Sequence, residues 1–298
     1  MRPILRPGSH VLRRNAHELQ IGLDPDQAVV LPAADEVRHC LSLMSRSAQA
    51  TEYAGAQTLD VLAAHDLILD SSALMPLIPS CGSDQSAVSR NDVAALARSA
   101  GDQATAMLAA RNAFKVDVVP FGNGLSQRLA DDLSGLLSGI GVGVRAAGPS
   151  HRSAAVVALV GVGEPDRETL DGWMRAGTPH LIVRLTEGAA TVGPFVVPGE
   201  TACLRCLDAH HTDADPAWPL LVTQYASMTT HDRSDGVPEP VDNLIATVAL
   251  AWAARDLTSY AEGSTPSTWS TTIRFDPHLT SLRTQAWQRH PDCGCAWA

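Results

Sequence analysis

The chain has 298 residues, 45% of them apolar, and a formal net charge of -10. That length allows two domains or one large one with a sizeable core, and an acidic balance without a basic run gives no footprint for a nucleic-acid backbone. The first six residues lack the apolar stretch of a signal peptide and no run of eighteen apolar residues occurs, so a cytoplasmic protein with no membrane span is expected. Of the 22 basic residues only Lys115 is a lysine, which removes lysine from most catalytic arguments.

In chain order, the segments 11–14, 19–23 and 28–31 are short, β-rich and punctuated by Asn15-Ala-His and Asp24-Pro-Asp, which predicts three small strands. Val37, Leu41 and Met44 recur at helical spacing within 34–44, as do Leu59 and Leu62 within 56–64, and Leu67-Ile-Leu69 returns as a strand. Strands, helices and a closing strand describe a winged-helix-like domain over residues 1–77. A Ser/Gly/Pro-rich linker follows at 78–90, containing Cys81. One Ala-rich helix is predicted over 92–111, capped by Asn91.

From residue 91 to 298 the pattern is that of an α/β domain. Strands at 116–119, 142–144, 154–160 and 180–185 alternate with helices at 125–137 and 167–176, which predicts a mostly parallel sheet. A further strand lies at 191–197. Residues 207–238 are polar and rich in Asp, His and Pro, and read as irregular. A helix at 243–260 and a hairpin of 269–275 with 279–287 complete the chain.

Gly122-Asn123-Gly124 follows a strand and opens a helix, the context of a phosphate-cradling turn. Gln127 stands where a third glycine would allow close helix–strand packing, and Arg145 follows the second strand where a nucleotide site wants an acidic residue for the ribose. The loop therefore reads either as a structural relic of a nucleotide site or as a retained one, with Arg128 or Arg145 as the cationic clamp. Ser126 lacks the frame and partners of a nucleophile.

Four of the six cysteines form two close pairs, Cys203-x-x-Cys206 and Cys293-x-Cys295, with Gly294 permitting the second turn. Four thiolates are the ligand set of a closed tetrahedral structural zinc site, with no open position to activate water. A redox dithiol at Cys203/Cys206 and an unligated cysteine core are the alternatives. Cys40 and Cys81 read as buried small hydrophobes. His210 and His211 are alternative or outer ligands, or residues of a solvated loop, as are His231 and His290.

The Gly122–Gly124 loop, Gly193-Pro-Phe-Val-Val-Pro-Gly199, Thr201-Ala-Cys-Leu-Arg-Cys-Leu207 and His290-Pro-Asp-Cys-Gly-Cys295 together resemble the ubiquitin-activating-like (ThiF-type) superfamily. Within it the chain is similar to the cyclodehydratase C-protein group of thiazole/oxazole-modified peptide (TOMM) biosynthesis. Arg6–Arg14 and Leu19–Asp24 look like that group's N-terminal leader-peptide-binding element. The resemblance implies a RiPP recognition element-like domain ahead of a degenerate Rossmann-like, ThiF-type domain with structural Zn2+. Active members use an intact Gly loop, a ribose-binding Asp, an Arg and a later acidic site, where this chain offers only Glu164, Asp166 and Arg167. ATP use is therefore not implied, because in the cyclodehydratase group a YcaO-type partner supplies that chemistry.

Two functions follow. The first is a non-catalytic subunit that captures a leader peptide as an added strand. Its edge would be 28–31, including Val29 and Val30, and its second wall the helix near Leu62 and His65. The α/β domain would dock a modifying enzyme or form a homodimer, with the 243–260 helix as a candidate interface or, more simply, a core helix. The second function is an ATP-dependent enzyme adenylating a peptide or protein C-terminus.

Overall fold

The computed structural model describes residues 2–45, 56–78, 88–146, 156–229 and 235–295. Most of the 78–90 linker, with Cys81, lies outside the described residues, as does His231. The chain divides into two compact units, Met1–Ala109 and Ala110–Ala298. No described helix is long and apolar enough to cross a membrane.

The N-terminal unit holds β1 (Pro3–Leu5), β2 (Val11–Arg13), β3 (Glu18–Ile21) and β4 (Val29–Pro32), then α1 (Asp35–Ser45), α2 (Ala56–Ala64), β5 (Ile68–Asp70) and the single turn α3 (Ser71–Leu74). Strands β2, β3 and β4 form an antiparallel meander in that order, while β1 pairs with β5. Alternation sets the burial of β4: Val29 and Leu31 point inward, Val30 and Pro32 outward. Val29 and Leu62 belong to the buried cluster of Ile21, Leu31, Cys40 and Leu41. This corrects the reading of Val29 and Leu62 as peptide contacts, because a side chain that fills the core offers no surface. Val30 and His65 are exposed. Strand β1 escapes sequence reading because three residues including a proline carry no period.

Two helices replace the single one expected over 92–111: α4 (Arg90–Ala100) and α5 (Ala104–Ala113). Ser89, not Asn91, caps α4 by accepting from the Asp92 N–H. The division between the units falls inside α5, so α4 goes with the N-terminal unit.

The second unit is built on β6 (Lys115–Phe121), α6 (Leu125–Gly139), β7 (Gly143–Ala146), β8 (Val156–Val162), α7 (Arg167–Arg175), β9 (His180–Thr186) and β10 (Ala189–Val196). It continues with α8 (Leu204–Ala214), α9 (Trp218–Met228), α10 (Asn243–Ala261), β11 (Thr271–Phe275) and β12 (Leu282–Ala286). The seven-stranded sheet runs β12-β11-β10-β9-β8-β6-β7. It is mixed rather than mostly parallel: β7, β6, β8 and β9 are parallel, and β10, β11 and β12 add as antiparallel strands. Lys115 is the first residue of β6, not a residue before it.

Strand β8 is buried along its whole length, as a strand covered on both faces must be. One face packs on α6 and α10 through Leu133, Leu137, Phe195, Leu250 and Leu257. The other carries Leu159, Ile182, Trp173 and Leu204 against α7 and α8. Helix α10 is a core helix: Ile245, Ala249, Ala253 and Leu257 are buried, so its apolar stripe is spent inside the unit. The segment expected to be irregular over 207–238 instead holds most of α8 and all of α9.

Candidate metal centre and the adjoining face of the sheet

Cys203 is the N-cap of α8 and Cys206 lies in its first turn. Beyond β12 a 3-10 turn, Pro291–Cys293, brings up the other pair, and Gly294 adopts φ 76°, the left-handed conformation that lets Cys295 double back. The four side chains converge, with Cys203 Sγ 3.7 Å from Cys206 Sγ and 3.5 Å from Cys293 Sγ, and Cys206 Sγ 3.3 Å from Cys295 Sγ. A tetrahedron with Zn–S bonds of about 2.3 Å has edges of about 3.8 Å. The sulfurs sit close to that spacing and far outside bonding distance for a disulfide. All four are free thiols, three of them buried. Hydrogen bonds from Cys203 and Cys293 hold the Cys206 thiol well below its usual range. The donor set is that of a soft, closed metal site.

The surroundings fix these ligands. His290 is buried and caps the 3-10 turn, its Nδ1 accepting from the Asp292 N–H at 3.1 Å. Nε2 then carries the proton and donates to Asp213 at 3.0 Å. His210 donates to the Gln288 carbonyl at 2.9 Å. His210, Asp213 and His290 lie close together, but the tautomer of His290 spends its Nε2 on Asp213, so the three form a hydrogen-bonded strut. This corrects the solvated-loop reading of His210 and His290. Arg289 donates to the Gly199 carbonyl at 2.7 Å, tying the last turn to the loop ahead of Cys203. Arg205 forks onto Asp171 with two 2.6 Å bonds, joining α8 to α7.

The glycine loop lies on the same unit. Gly122 has φ 88°, and a Cβ there would stand 2.2 Å from the Val162 carbonyl oxygen, so close packing of the loop on the end of β8 requires it. At Gly124 a Cβ would meet open space. Asn123 Oδ1 accepts from the Leu125 N–H at 3.1 Å, so a side chain takes one of the helix's unpaired amides. Ser126 is buried and its Oγ accepts from the Val162 N–H at 3.2 Å, which fixes it as a packing residue. Gln127 is exposed and bonds Asp131, so it does not obstruct helix–strand packing as its size had implied. Arg145 pairs with buried Asp117 at 2.9 Å, and Arg128 lies on the outer face of α6 near Asp132; both are engaged away from the loop.

Downstream of β8 a chain of ion pairs runs Arg184–Glu164–Arg167–Asp208, with contacts of 2.7, 3.0 and 2.8 Å. Trp218 Nε1 donates to Asp208 at 3.0 Å. Burial alone would raise the Asp208 carboxyl, but the Arg167 fork outweighs it and holds the group below the usual carboxylate range. Asp166 caps α7 through the Thr169 N–H. This network borders a cavity of about 530 Å³ between the sheet and α8–α9. His211 lines it against Trp218, ring centres 4.4 Å apart, and burial lowers its imidazole pKa. Sequence reading missed this cavity, since it is made by register and not by a motif.

No family model matches the sequence, and no curated protein matches it either. Solved structures do match. A heterocyclase in complex with substrate and cofactor superposes with a TM-score of 0.68 at 14% identity, over 99% of this chain and 39% of that one. The heterocyclase TruD gives 0.67 at 15% identity over 99% and 42%. This chain thus spans about two-fifths of those heterocyclase chains. Escherichia coli MccB with MccA gives 0.60 at 12% identity, over 100% of both chains. At these identities the likeness establishes a shared α/β fold.

Proposed function

We propose that the chain is a non-catalytic leader-peptide recognition and scaffold subunit of a cyclodehydratase-type, TOMM-related peptide-modifying system. In this reading the N-terminal unit is winged-helix-like, of the RiPP recognition element type. The second unit is a degenerate ThiF-type domain stapled by Zn2+ on Cys203, Cys206, Cys293 and Cys295. The metal, when bound, supplies cross-linking and no chemistry, because four thiolates fill its coordination. A YcaO-type enzyme would be the partner that consumes ATP.

The observation that carries the reading is the open edge of β4, which pairs only with β3 among the described residues. Ala33 N–H donates to the His17 carbonyl at 2.8 Å. Counting back along the antiparallel ladder, residues 31 and 29 bond inward, so the Val30 N–H and C=O face outward. An extended peptide pairs with such groups, while Pro32, with no N–H to offer, limits how far an added strand extends. Support also comes from the glycine loop, where Asn123 already caps the helix and Arg145 already pairs with Asp117. The heterocyclase and MccB structures, solved with substrate or with MccA, agree with a peptide-handling role.

The test is titration of the intact chain with synthetic peptides from short reading frames flanking its gene. Val30→Pro removes one outward N–H without breaking a ladder bond. It should weaken binding about tenfold or more, through the lost bond and the steric block, with little change in stability. Binding unaffected by Val30→Pro, together with peptide-dependent ATP–pyrophosphate exchange, would instead favour the adenylating reading.

A further inference from the structure

The cavity beside the cysteine centre has a floor whose chemistry none of the preceding roles uses. Register pairs place Arg184 on β9 opposite Thr191 on β10, Thr191 opposite Arg274 on β11, and Arg274 opposite Arg283 on β12. Cross-strand partners project to the same side, so one row across four strands presents three arginines and a threonine. The alternate residues Ala190, Val192, Ile273 and Phe275 point into the core with α10, which puts the arginine row on the opposite face, in the cavity. Like charges directly opposed on neighbouring strands are destabilising. Arg274 and Arg283 are such a pair, and neither has an ion-pair partner among the described residues. Arg184 is committed to Glu164 through Nη1, but its Nε is buried with no hydrogen-bond partner.

The roof is different. Trp218, Leu221, Val222 and Tyr225 of α9 supply an apolar cover, and Trp287 joins the lining. Three arginines against Glu164 and Glu187 leave the lining one net positive charge. A polyphosphate would meet two carboxylates there, whereas a single carboxylate matches the excess and can take the planar forks two at a time. At about 530 Å³ the space suits a small organic group.

The geometry points to a second binding site, on the α/β unit, for a monocarboxylate carried on an apolar body: a free organic acid, or the terminal or acidic residue of a peptide. The carboxylate lies on Arg274 and Arg283, the opposed pair of β11 and β12, and the apolar body lies under α9. The site belongs to the second unit and the β4 edge to the first, and either can fail without the other.

Calorimetry on the intact chain tests it, with N-acetylphenylalanine for a peptide end and 3-phenylpropanoate for a free acid. Their uncharged amides are the controls, and AMP and inorganic phosphate the competitors. At least one acid should bind, with its amide about tenfold weaker or more; the better of the two acids identifies the source. The Arg274→Gln/Arg283→Gln variant should lose that preference while keeping a thermal midpoint at or above that of the parent chain, because it relieves a like-charge pair. Absence of binding by both acids, equal binding of acid and amide, or a preference that survives in the double variant would overturn the proposal. So would displacement of the acid by AMP or phosphate at comparable concentration.

Discussion

Removing the metal from the four cysteines, or replacing Cys295 with serine, should release the C-terminal turn from α8. The cluster joins positions 90 residues apart in the chain. A cross-link closing a loop of that length restricts the unfolded chain by about 4–5 kcal/mol in chain-entropy terms. In a unit of this size each kcal/mol moves the thermal midpoint by about 2–4 °C, so a fall of about 10–15 °C is expected. Elemental analysis should give about one zinc per chain, and calorimetry with and without a chelator should show the shift, reversed by added zinc. Cys40→Ser is the control. Cys40 is also fully buried, but in the N-terminal core, so its loss should leave zinc content and chelator sensitivity intact. A metal-free chain that melts within about 2 °C of the zinc-loaded one would refute the staple.

Three further outcomes follow. His180 is buried, its Nδ1–H donating to the Thr178 carbonyl at 3.0 Å, and burial lowers its pKa from 6.5 to about 4. The neutral form is the folded form, so its contribution is complete above pH 6.5 and is lost as pH falls toward 4. Denaturant titrations at pH 7 and 4.5 should differ by about 2–3 kcal/mol from this group, a component absent in His180→Leu. Asp208→Ala strips the Arg167 fork and the Trp218 acceptor together and should cost about 3 kcal/mol or more by unfolding titration. Gly122→Ala should destabilise by about 2–3 kcal/mol, because its Cβ would strike the Val162 carbonyl, while Gly124→Ala should be neutral or slightly stabilising; equal effects at the two positions would contradict the loop geometry.

Much of the second unit was legible in the sequence because its signals are local. A continuous apolar run marks β8, Asp276-Pro277 between two short segments marks the β11–β12 hairpin, and two tight cysteine pairs mark the cluster of four thiols. Helices α8 and α9 were obscured by the Asp, His and Pro residues around them, although Pro219 in the first turn of α9 is itself a start signal. The mixed sheet was hidden for another reason: an antiparallel strand buried on both faces, such as β10, reads like a parallel one. Val29 and Leu62 show the limit at the N-terminal unit. The edge strand could be placed, but which of its residues face out depends on the pleat, and the pleat turned Val30 outward and Val29 in. The arginine row is further from reach. Arg184, Arg274 and Arg283 meet only through the registers of three strand pairs, and no spacing in the chain encodes that.

Amide hydrogen exchange at Val30 tests the central claim most directly. In the free protein its N–H faces outward from the β4 edge and should exchange freely. When a peptide from the flanking reading frames is bound to the intact chain, that amide should become protected while Leu31, already in the ladder, changes little. Protection confined to the second unit, with Val30 still exchanging freely under saturating peptide, would contradict recognition at the β4 edge.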